Sequence, residues 1–108
     1  MGSLQPVYVI GEIYSENEHL TELDEYISKS PMKSLFAKCN GMANGVITYF
    51  MGWDGSKCGW DTQIEAETIR SEFIQLLHKA DANNIWEVYA GHDVENPFIS
   101  DKSLKHMW

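Results

Sequence analysis

Two Trp-Asp pairs, Trp53-Asp54 and Trp60-Asp61, lie in the stretch Gly45–Glu65, GVITYFMGWDGSKCGWDTQIE. An indole offers a large contact surface with one polar edge, and a carboxylate offers charge and hard oxygen ligands. Gly52, Gly55 and Gly59 punctuate this loop, which follows an apolar strand and leads into a helix. Loops held at strand ends are where recognition and catalysis concentrate. Two kinds of chemistry are open to these residues. With Glu12 or Glu16 and Asp93, Asp54 supplies oxygen ligands for Mg²⁺ or Mn²⁺, the basis of a divalent-metal enzyme or ligand-binding domain. With Tyr14 and Tyr89, the two tryptophans supply aromatic anchors for a protein partner.

The second reading is preferred. The chain has no DxD pair, no HExxH, no CxxC and no phosphate-cradling glycine loop. His92-Asp93 contains a base and an acid, but adjacent strand residues point to opposite faces. Cys58 sits beside Lys57, which favours the thiolate, yet no histidine is near it in sequence. Cys39 and Cys58 are expected to be free thiols. No catalytic residue, metal or cofactor is assigned. The binding set is Trp53, Asp54, Trp60, Asp61 and Tyr14, with the acids Glu18, Glu22 and Glu25 of the first helix and His92 and Asp93 near the last strand. Each has a structural alternative. Trp53 shares a strand side with Ile47, Tyr49 and Met51, and Asp61 helps Thr62 begin a helix. The acidic stripe is also a solvated face. His19, His78 and His106 lie in a turn, a helix end and the tail, and Arg70 pairs with Glu67 on one helix surface.

Charge narrows the partner. The net charge is −8 over 108 residues. The first 28 residues hold Glu12, Glu16, Glu18, Glu22, Asp24 and Glu25 without a lysine or arginine. Such a chain repels phosphate backbones and steers toward basic proteins, so direct nucleic-acid binding is not expected. At 44% hydrophobic and 22% charged the composition is globular, and the length suits one domain. No apolar run reaches the roughly 18 residues of a spanning helix. MGSLQP lacks the basic and apolar regions of a signal peptide. A cytoplasmic protein is expected, with residues 1–5 disordered or a cloning remnant.

The elements follow from periodicity. Pro6–Tyr14 alternates as a strand, with Val7, Val9 and Ile13 on one side and Tyr8, Ile10, Glu12 and Tyr14 on the other. Leu20, Leu23 and Ile27 mark a helix that ends at Ser30-Pro31. Met32, Leu35, Phe36 and Cys39 continue with helical spacing to an Asn40-Gly41 stop. Gly45–Trp53 reads as a central strand buried on both faces. Thr62 and Glu65 form a capping box for a helix to Ala80, with Ala66, Ile69, Phe73, Leu76, Leu77 and Ala80 inward. Ile85–Gly91 is the last full strand. In residues 96–108, Phe98-Ile99 and Met107-Trp108 are too apolar for a free tail, so this stretch is expected to dock with a short terminal helix or strand.

The resulting expectation is a single α/β (or α+β) domain of order β-α-α-β-α-β-tail. Its sheet has three to four largely parallel strands, with two to three helices mainly on one face. Parallel strands gather their C-terminal ends, and so the binding set, on one edge. Element order and acidity resemble those of barstar-type inhibitors, small acidic proteins that block a basic nuclease; no residue is carried across. The resemblance implies an inhibitor, immunity protein or accessory factor. The face opposite the helices would show Tyr8, Ile10, Tyr14, Ile85 and Tyr89, an apolar area suited to a homodimer.

Overall fold

The computed structural model describes residues 6–57, 59–90 and 97–102. Its elements are β1 (Val7–Tyr14), α1 (Leu20–Lys29), a 3-10 turn (Lys33–Leu35), β2 (Phe36–Asn40) and β3 (Val46–Met51). They continue with α2 (Asp61–Lys79), β4 (Asn84–Tyr89) and β5 (Phe98–Asp101). The five strands form one sheet in the order β2-β3-β1-β4-β5, and every neighbouring pair is antiparallel. The fold is therefore α+β, not a largely parallel α/β sheet. Its first six main elements follow the split β-α-β-β-α-β arrangement, in which each helix crosses from one strand to another with a strand lying between them.

The correction originates at residues 36–40. The helical spacing of Met32, Leu35, Phe36 and Cys39 does not produce a second short helix. Ser30 is extended at ψ 138° before Pro31, and after one 3-10 turn Phe36 is extended again, at φ −96° and ψ 145°. Phe36–Asn40 then pairs with β3 in register from Phe36 opposite Met51 to Asn40 opposite Ile47. The connection, residues 41–45, ends on Asn44 and Gly45, both at positive φ (59° and 63°), and the Gly41 N–H donates to the Val46 carbonyl at 2.7 Å. The order that resembled a barstar-type inhibitor thus does not hold, because a hairpin stands where a helix was expected.

β3 is buried on one face only. Ile47, Tyr49 and Met51 are buried, Val46 and Thr48 half-buried and Phe50 exposed. Both helices pack on the side of Val7, Val9, Ile13, Ile47, Tyr49, Met51 and Ile85, and they contribute Leu23, Ala66, Ile69, Phe73 and Leu77 to the core. Phe73 sits at its centre, edge-on to Phe36 and Tyr49 at ring distances of 5.0 and 6.2 Å. Gly11 is required where α2 crosses β1, since a Cβ there would stand 2.7 Å from Leu77 Cδ1. The opposite face carries Tyr8, Ile10, Tyr14, Phe50, Trp86, Val88 and Ile99, and no described element covers it. Ile85 and Tyr89, expected there, lie on the helix side instead, one register step away.

Candidate functional site: an acid-rimmed groove between the helices

Antiparallel pairing divides the expected rim. β3 and β4 flank β1 and both run against it, so their C-terminal ends meet at the end of the sheet where β1 begins. Trp53, Asp54 and Tyr89 are accordingly brought together. Tyr14 pairs with Val46, and Glu12 with Thr48 and Asn84, at the far end, with Glu16 just beyond. Glu12 accepts a 2.9 Å hydrogen bond from Asn84 Nδ2 and is remote from Asp54. The Asp54–Glu12 or Asp54–Glu16 metal site therefore does not assemble. No cluster of three potential metal ligands occurs among the described residues. His92, Asp93 and Cys58 lie outside the described residues.

The Trp53 end is enclosed by neighbouring side chains. Val7, Trp53, Asp54, Ser56, Gln63, Glu67, Arg70 and Tyr89 enclose a cavity of about 110 Å³, small for a ligand site. Trp53 and Asp54 are half-buried, and the buried Ser56 donates its hydroxyl proton to Asp54 Oδ2. Positive φ at Gly55 (88°) and Gly59 (92°) shapes the loop. Arg70 does not form a surface pair with Glu67. Its Nε donates to Glu87 Oε2 at 3.3 Å, and both side chains are at most 14% exposed. Lys102 Nζ lies 3.4 Å from the other Glu87 oxygen. Tyr89 OH also donates to that carboxylate, and the phenol pKa is raised by burial and by the Glu87 charge.

Trp60 is 53% exposed at the N-cap of α2. The capping box is not Thr62 with Glu65: Gln63 Oε1 accepts instead from the Gly59 N–H at 3.0 Å. Asp61 opens the helix, where its charge suits the macrodipole. Ile64, one turn on from Trp60, is equally exposed at 53%.

The acids of α1 face a feature that the sequence reading did not assemble. α1 and α2 run antiparallel, with Glu22 bonded to Lys79 at 3.0 Å near one end and Lys29, Ser30 and Pro31 beside Glu65 at the other. Between them runs an open groove of about 650 Å³ with a mostly apolar lining that includes Tyr26, Ile69 and Leu76. Glu22, Glu25, Glu65 and Glu72 line its edges. Glu25 is paired with Lys29 at 3.0 Å. Glu22 is held below its ordinary 4.5, first by the Lys79 hydrogen bond and then by His19. Glu72 accepts from Tyr26 OH at 2.7 Å, and burial followed by this carboxylate raises the Tyr26 phenol pKa. Among the described residues no cation makes an ion pair with Glu65 or Glu72. The groove residues were legible in one respect: Glu65 and Glu72, like Ile69 and Leu76, are separated by seven positions, which places each pair on one helical face. Glu18, by contrast, stays outside the groove, its side chain 89% exposed and 3.7 Å from His19.

No helix of the described residues is long and apolar enough to cross a membrane. Comparison with protein-family models, with curated proteins and with solved structures returned no match.

Proposed function

We propose that this chain is a small acidic binding protein that engages a basic protein partner through its helix layer, in an inhibitory, immunity or accessory role. One observation carries the reading. Glu65 and Glu72 stand without a cation among the described residues, on the helix that also exposes Trp60 and Ile64. Carboxylates next to exposed apolar anchors give a partner both steering and a desolvated contact. The net charge of −8 extends the attraction beyond the contact itself. Association kinetics with a partner recovered by affinity capture test the reading. The expected partner is basic, its association slows as salt is raised, and Trp60→Ala speeds its release. An acidic partner, or association indifferent to salt, contradicts it.

A second reading, self-association, is favoured by the sheet face that carries Tyr14, Phe50 and Ile99 at 44%, 38% and 65% exposure. Sedimentation of Phe50→Glu tests it: a dimer of the wild type would be converted to monomer.

A further inference from the structure

We infer that the groove between α1 and α2 receives an amphipathic helix of the basic partner, with apolar side chains on the Tyr26–Ile69–Leu76 floor and lysines or arginines toward Glu65 and Glu72. The inference rests on the reading of the protein as a binder of basic proteins and adds the form and address of the segment bound. Three observations support it. The floor is apolar while carboxylates stand along its edges, so an occupant must carry an apolar stripe flanked by cations. The walls are helices whose backbone groups are already paired within themselves, so an extended peptide would find no main-chain partners there. A helix brings its own backbone bonds and needs only side-chain contacts. Glu65 to Leu76 also spans about 17 Å of α2, the length of roughly three turns of a docked helix.

The charges around the groove agree with this address. Lys29 and Lys79 are engaged by Glu25 and Glu22, which leaves Glu65 and Glu72 to meet incoming cations. Glu72 is oriented by the Tyr26 hydroxyl, so part of the ordering cost of binding is already met by the fold.

Calorimetric titration with two synthetic peptides tests the inference. One is a helical Lys/Leu peptide of about 16 residues with its leucines on one face; the other has the same composition with the amphipathic spacing scrambled. The helical peptide is expected to bind roughly tenfold tighter than the scrambled one. E65Q/E72Q should lose roughly tenfold in affinity for it at low salt, whereas D81N, at an exposed position outside the groove, should change it little. Circular dichroism verifies that the variants, altered only at exposed positions, remain folded. If both peptides bind equally and E65Q/E72Q has no effect, the groove is not the address, although salt-sensitive binding of both would leave the basic-partner reading standing. If neither peptide binds at low salt, both readings fall.

Discussion

At the scale of single residues, polar groups inside this molecule are paired in ways that make their removal costly. Arg70 and Glu87 join α2 to β4 with side chains at most 14% exposed, and Lys102 supports the same carboxylate from beyond β5. Arg70→Ala should destabilise the fold by about 2–3 kcal/mol, because it strips a near-buried carboxylate of its closest cation. Arg70→Met combined with Glu87→Leu should recover most of that loss in denaturant titration; no recovery would mean that packing around Arg70, not its charge, was lost. Tyr49 donates to Asp24 Oδ1 at 2.7 Å from a fully buried position, and Tyr49→Phe should cost about 1–2 kcal/mol. Glu22 offers a pH test. Its folded-state pKa is depressed below 4.5, so its contribution to stability is present above the unfolded value and is lost as pH falls through the folded one. The stability difference between wild type and Lys79→Met should therefore shrink on acidification from about pH 6 to below the folded pKa of Glu22. A difference independent of pH would show that the Lys79 hydrogen bond does not set that depression.

At the scale of elements, the crossing of α2 over β1 depends on a missing side chain. Gly11→Ala would place a Cβ against Leu77 and should destabilise by about 1–3 kcal/mol. Leu77→Val in the same chain should recover part of that loss, measured by thermal melts of the two single variants and the double variant. β1, α1, α2 and β4 were legible in the sequence because their apolar periods are long and are closed by turn residues. β2 was not. Phe36 and Cys39 also suit a helical stripe, and only five residues distinguish a short edge strand from a helical turn. The signal that favours a hairpin is Asn44-Gly45, both at positive φ at the end of the turn of residues 41–45, whereas Asn40-Gly41 nearby reads as a helix stop. That one element reversed the strand directions and so halved the expected rim. Trp53, Asp54 and Tyr89 still meet, because β3 and β4 are parallel to each other across β1. Tyr14 and Glu12 lie at the other end because β1 runs the opposite way. The groove escaped the sequence reading for a different reason. It requires Tyr26 of α1 to meet Ile69 and Glu72 of α2, a pairing that no periodicity within one helix specifies.

At the scale of the whole molecule, a sheet with helices on one face presents two unlike surfaces. The helix layer is acidic around an apolar groove, and the opposite face carries aromatic and aliphatic groups together with Glu12 and Asp101. On the proposed readings, electrostatic steering toward basic proteins would fall to the first, and self-association to the second. The two make separable predictions, since Phe50→Glu should alter only the oligomeric state and E65Q/E72Q only the binding of cationic helices. The most direct measurement is a map of amide chemical-shift changes on adding the amphipathic Lys/Leu peptide. Perturbations concentrated on α1 from Glu22 to Lys29 and on α2 from Glu65 to Leu76 are the predicted result. Perturbations confined to β1, β3 and β4, with the helix layer silent, would contradict it.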